Sequence, residues 1–273
     1  MIFARFDRPP FKGEIDEEFR GPEFESALAR LGELIEGPRA EVLLKGRNTV
    51  VALDLPLGAG RTISCVAKSY RAVGLQRLKT LVVRSKAAKA WRGARALTEA
   101  GFETPRPLAY LERRSGGTVA ESYFLAGRVP GLPEIRSLFR DPGPAGLRPL
   151  LSALAASVAS LHRAGLLHRD LSDGNILVRR GEDGSFGFVY LDTNRVRVRK
   201  RLGASARARN LVRLGVPAAD RMHFLEQYAA ARGEKLSPVF VHFYKEAKLA
   251  FSTWLRIKKA LRLKKAARAL RIQ

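Results

Sequence analysis

One cysteine in 273 residues rules out an internal disulfide. Cys65 sits between Ser64 and Val66 in a strand-like run, where it reads as core filler rather than a ligand. No basic-then-apolar leader opens the chain, because the first residues run straight into charged, proline-bearing sequence; the chain is therefore expected in the cytoplasm. Long apolar runs are missing too. The longest, 150–161, is interrupted by Ser152, Ser157 and Ser160 and falls short of the roughly 18 residues a membrane span needs. Acid is scarce: 26 Asp and Glu face 50 Lys and Arg, a net charge of +24. An excess of this size implies a polyanionic partner, either an anionic membrane face or nucleic acid.

With 46% hydrophobic residues the chain can bury a real core, enough for two lobes around one cleft. The densest chemistry lies in 166–178, Leu-Leu-His-Arg-Asp-Leu-Ser-Asp-Gly-Asn-Ile-Leu-Val. Apolar residues lead in and out, so the polar ones between them form a loop pinned at both ends. Asp170 and Asn175 fit H-R-D-x-x-x-x-N, in which the acid accepts the proton of an attacking hydroxyl and the amide oxygen ligates Mg²⁺ beside the phosphates of ATP. His168 reads as a structural support of this loop, and Asp173 as a turn cap. The run 188–192 ends on Asp192, and Gly181-Glu182-Asp183-Gly184 before it predicts a hairpin that returns this second carboxylate to Asn175.

Upstream, strands are predicted at 42–44, 49–53, 63–68, 108–112 and 119–125, separated by Gly- and Pro-bearing turns. Lys68 ends Cys-Val-Ala-Lys, placed like a strand lysine that neutralises the α and β phosphates of a nucleotide. Gly46 and Asn48 flank the turn where a phosphate loop would lie, with only one glycine to support it. Leu125 and Gly127 lead into a Gly- and Pro-rich hinge whose backbone would bind adenine. A helix is predicted from Pro22 to about Gly37, one over 85–100 ending at Gly101, a short one over 132–139, and a long apolar one over 145–164. The domain reading is an N-terminal extension over 1–38, an N-lobe over 39–127 and a C-lobe over 128–273.

In order and spacing these motifs resemble the protein kinase superfamily, and within it the lipopolysaccharide kinases that phosphorylate Kdo or heptose. Leu191-Asp192-Thr193-Asn194-Arg195, Ser85-Lys86-Ala87 and Glu103-Thr104-Pro105-Arg106-Pro107 carry the narrower likeness. Thr-Asn follows Asp192 where protein kinases have Phe-Gly, and no A-P-E follows, which implies a compact enzyme without a phosphorylation-switched loop. The resemblance implies an α+β, two-lobed kinase-like fold and transfer from ATP, with Mg²⁺, to a sugar hydroxyl on a lipid A-linked acceptor. It implies Asp170, Lys68, Asn175 and Asp192 as the catalytic set, with Asn175 and Asp192 as metal ligands. A glutamate on the 85–100 helix would pair with Lys68; Glu99 is the one acid there, so either it or another acid serves.

From Ala247 onward nine Lys or Arg and no acid alternate with apolar residues, among them Phe251, Trp254, Leu255 and Ile257. Such a helix lies naturally on an anionic leaflet, peripheral to the inner face of the cytoplasmic membrane, or docks on its own domain. Two other functions fit parts of the pattern: a RIO-like atypical kinase on RNA, and a non-catalytic kinase-like basic adaptor. No aromatic stacking motif supports base reading, so the membrane is the preferred partner and nucleic acid the alternative.

Overall fold

A computed structural model describes residues 1–46, 48–143 and 146–270, without the side chains of Gln76 and 262–270. The chain divides into two compact units, Met1–Leu132 with Val189–Arg197, and Pro133–Phe188 with Val198–Gln273.

The first unit is built on a seven-stranded sheet. Its chain begins with a hairpin, β1 (Phe3–Arg8) and β2 (Phe11–Asp16), followed by helices α1 (Pro22–Ala29) and α2 (Leu31–Glu36). The single helix expected here is broken at Arg30, whose φ of −103° and ψ of 13° leave helical geometry. Strands β3 (Glu41–Leu44), β4 (Thr49–Gly58) and β5 (Arg61–Arg71) come next, then the short helix α3 (Leu75–Leu78), helix α4 (Lys86–Glu99), and strands β6 (Pro107–Ser115) and β7 (Thr118–Gly127). The strand order is β1-β2-β6-β7-β5-β4-β3, antiparallel throughout. Strands 42–44, 49–53, 63–68, 108–112 and 119–125 are all present and longer than read; β1 and β2 were not foreseen.

Strand alternation divides the core of this unit in two. Tyr123 and Leu125 of β7, with Cys65 and Ala67 of β5, pack with Phe24, Leu28 and Leu31 of the α1–α2 pair. Phe124 and Ala126, with Tyr70, pack with Ala87, Ala90, Trp91 and Ala94 of α4. Lys68 has the parity of Tyr70, so the strand directs it to the α4 side.

In the second unit helix α5 (Ile135–Arg140) precedes α6 (Leu147–Arg163), whose Leu150, Leu151, Leu154, Val158 and Leu161 are buried at helical spacing. Ala145, where this helix was expected to start, lies outside the described residues. Strand β8 (Leu166–His168) enters the polar loop, β9 (Ile176–Arg180) leaves it, and β10 (Phe186–Tyr190) crosses into the first unit. After β11 (Val196–Val198) the chain forms α7 (Ala204–Leu211), α8 (Arg221–Ala231) and α9 (Pro238–Leu270). Among the described residues no helix is long and apolar enough to cross a membrane.

Candidate active site

The loop after β8 is held by its own polar groups. The backbone N–H of Leu171 donates to the His168 carbonyl (3.0 Å), that of Ser172 to the Asp170 carbonyl (2.8 Å), and that of Asn175 to the Ser172 carbonyl (2.9 Å). The Asp170 N–H donates to Nδ1 of His168, which is fully buried. His168 thus sits in the loop as a support.

A second chain of bonds anchors the same point from below. Nδ2 of Asn210, on α7, donates to the His168 carbonyl at 2.7 Å. Its Oδ1 then lies 2.9 Å from Nε2 of buried His162, and Nδ1 of that ring lies 2.7 Å from the Tyr228 hydroxyl. An amide oxygen only accepts, so His162 carries its proton on Nε2 and accepts from Tyr228 at Nδ1. Burial lowers the His162 pKa to about 4, which keeps the ring neutral.

The candidate functional side chains of this unit are Asp170 and Asn175. Nη2 of Arg213 donates to Oδ1 of Asp170 at 2.9 Å, and the Arg213 guanidinium lies over the Phe251 ring of α9, 5.3 Å from its centroid. Asn175 donates from Nδ2 to the Asp170 carbonyl at 2.8 Å, which turns its Oδ1 away from that backbone. Asp173 is paired with Arg136 of α5 at 2.9 Å, a structural contact.

Lys68 and Asp192 belong to the first unit. Nζ of Lys68 donates to Oδ1 of Asp192 at 2.8 Å, each side chain about one quarter exposed (28% and 26%). Asp192 has left-handed backbone geometry, φ 54° and ψ 52°, which Asp tolerates better than most residues. Its neighbours hold that turn in place. Nδ2 of Asn194 donates to Oδ1 of Asp192 at 3.0 Å, and buried Thr193 donates from Oγ1 to the Ala90 carbonyl of α4 at 2.8 Å. Helix and turn approach so closely that a Cβ on Gly93 would fall 2.0 Å from the Thr193 carbonyl oxygen.

Glu99 points elsewhere: it accepts from Arg95 one turn back, at 3.4 Å, and is exposed. The acid that braces α4 comes from β2. Oε2 of Glu14 accepts from Nε1 of Trp91 (2.9 Å) and from Arg95 (3.3 Å). Nothing in the sequence of 1–38 marked Glu14 for this, because it is one of several acids in a charged segment.

Of the expected nucleotide contacts, Leu125 is fully buried and paired with Ala67 and Ala109, and the N–H of Gly127 donates to the Arg106 carbonyl at 2.8 Å. Gly46 is exposed, and a Cβ there would meet nothing within 4 Å. Asn48 is half-buried; Arg47, between them, lies outside the described residues. Asp192 in the first unit and Asn175 in the second each offer a hard oxygen donor of the kind Mg²⁺ takes beside phosphate oxygens.

A strand lysine bonded to the acid after β10, and a buttressed H-R-D-x-x-x-x-N loop, are the parts of a phosphotransferase with a protein kinase-like fold. Residues 60–230 match the profile of the Lipopolysaccharide kinase (Kdo/WaaP) family, and the chain belongs to that family. It is similar to the lipopolysaccharide core heptose(I) kinase WaaP of Pseudomonas aeruginosa, 26% identical over 75% of this chain and 80% of that protein. It also resembles the serine/threonine-protein kinase PknL of Mycobacterium tuberculosis, 31% identical over 60% of this chain and 39% of that one. Among solved structures, WaaP in complex with acyl carrier protein shares the fold, with a TM-score of 0.55 and 21% identity over 83% of this chain and 90% of that one.

Proposed function

We propose that this chain transfers the γ-phosphoryl group of ATP to a sugar hydroxyl of the lipopolysaccharide inner core, on a lipid A-linked acceptor. The observation that carries the reading is that the family match, 60–230, contains Lys68, Asp170, Asn175 and Asp192 together. Likeness to a core heptose kinase favours heptose as the sugar, with Kdo the alternative.

In this reading Asp170, fixed by Arg213 and by the His168 support, orients the acceptor hydroxyl and takes its proton as the phosphorus–oxygen bond forms. Lys68 neutralises the nucleotide phosphates while Asp192 holds its ammonium in place. Asn175 and Asp192 supply hard oxygen ligands for Mg²⁺, which when bound offsets the charge on the phosphates. Positioning and charge compensation carry the rate, as phosphoryl transfer requires.

For location, the exposed stretch of α9 presents Trp254, Leu255, Ile257 and Leu261 beside Arg256, Lys258 and Lys259. Apolar residues among cations suit the inner, anionic face of the cytoplasmic membrane, where a lipid A-linked acceptor is met. The rest of the basic tail, from 262, has side chains outside the described residues.

Incubation with γ-labelled ATP and a panel of heptose- and Kdo-bearing lipid A precursors tests the activity. Label is expected on the core sugar and to be lost in Asp170→Ala; label on every precursor but through Asp170→Ala as well would remove Asp170 from the mechanism.

A further inference from the structure

Between β5 and α4 the first unit carries a segment with inverted amphipathicity. Helix α3 and the 3-10 turn after it, Lys79–Leu81, turn two polar side chains, Arg77 and Thr80, toward the sheet. Arg77 donates from Nε to the Thr118 hydroxyl (2.8 Å) and from Nη2 to the Ser115 carbonyl (3.1 Å); the Thr80 hydroxyl donates to the Arg77 carbonyl (2.5 Å) and accepts from the Val119 N–H (2.8 Å). The segment is thereby pinned on the β6–β7 hairpin.

Its aliphatic side chains face water. Val73, Leu75, Leu78, Leu81, Val82 and Val83 are all exposed, Leu75 to 77% and Val82 to 88%. A helix on a folded domain ordinarily does the reverse. Single exposed leucines need no explanation, but six large aliphatics within eleven residues, on a segment fixed by side-chain hydrogen bonds, mark a contact surface. The rim decides the partner. Lys79, Arg84 and Lys86 are exposed alongside, and no Asp or Glu occurs in 72–98.

We propose that this ridge docks the protein on an anionic bilayer, with the aliphatic residues in the headgroup and acyl boundary and the cations on lipid phosphates. The inference deepens the membrane reading given above, and it places a contact on the unit that holds Lys68 and Asp192 rather than on α9 alone.

A label on Val82→Cys reads the ridge directly, because the one native cysteine, Cys65, is fully buried. With the full chain carrying an environment-sensitive fluorophore there, vesicles of phosphatidylethanolamine and phosphatidylglycerol are expected to shift emission to the blue and to pellet the protein. Leu75→Gln, Leu78→Gln and Leu81→Gln together should weaken pelleting roughly tenfold or more without lowering the thermal midpoint, since all three side chains are solvent-facing. Pelleting that survives this triple substitution, or occurs without a shift, overturns the ridge and leaves α9 as the contact. Pelleting that instead survives Arg256→Gln, Lys258→Gln and Lys259→Gln sinks the α9 reading alone, and a chain that never pellets sinks both. A shift that follows protein concentration without vesicles, or added acyl carrier protein, would assign the ridge to a protein partner and overturn the proposal.

Discussion

The ammonium of Lys68 lies 2.8 Å from Oδ1 of Asp192, 124 residues further along the chain. Both groups are partly exposed, so their pairing adds little to stability, within about 1 kcal/mol. In the proposed mechanism its value lies in placing a cation beside the acid assigned to the metal. Lys68→Met and Asp192→Asn should each cut phosphoryl transfer by about 10²- to 10³-fold while the urea midpoint barely moves. Steady-state kinetics beside a denaturation curve separates the two effects.

Gly93 is expected to be intolerant for a steric reason. A methyl there would meet the Thr193 carbonyl oxygen at 2.0 Å, backbone against backbone, with no flexible side chain to give way. Gly93→Ala should cost about 1–3 kcal/mol through overpacking and should lower activity as well, because the turn that must shift carries Asp192. A Gly93→Ala protein of unchanged midpoint and full activity would contradict the close contact.

Arg213 is a positioning residue for Asp170. Without the bond to Oδ1 the carboxylate swings, and Arg213→Gln should lower kcat by roughly 10- to 100-fold with KM for ATP unchanged. Arg213→Lys keeps the charge but loses the planar group over Phe251, so partial recovery is expected. Initial rates at varied ATP and varied acceptor give the split.

His162 makes stability depend on pH. Its folded pKa, about 4, lies below the ordinary 6.5, so the unfolded chain binds the extra proton in the window between them. Stability from this residue is complete above about pH 6.5 and falls as the pH drops toward 4, by about 2 kcal/mol between pH 7.5 and 5. Urea midpoints at those two pH values, compared with His162→Gln, check the sign: the variant should lose the slope.

The polar loop was legible because its chemistry is local. Asp170 and Asn175 are five residues apart, and the apolar flanks that pin them are their neighbours. The strands of β4 to β7 were legible from their turns and β-prone composition. What escaped was long-range or silent. β1 and β2 alternate apolar with charged residues in a segment read only as an N-terminal extension, yet Phe6, Phe11 and Ile15 are core. Gly93 looks like any helical glycine until the Thr193 carbonyl is found beside it. Arg213 is one basic residue in a run of many, and only coordinates single it out. The partner of Lys68 was sought on α4 as well, because a kinase helix ordinarily carries that acid; here Glu14 braces the helix and Asp192 meets the lysine.

The first unit is discontinuous in sequence, and this orders events on the ribosome. Its sheet can close once β7 has emerged, yet Val189–Arg197 belongs to the same unit and comes after α5, α6 and the polar loop. Until that late piece arrives, Lys68 and the notch at Gly93 wait without their counterparts. A nascent chain stalled near residue 132 would therefore hold an almost finished sheet and no means of assembling its lysine–aspartate pair.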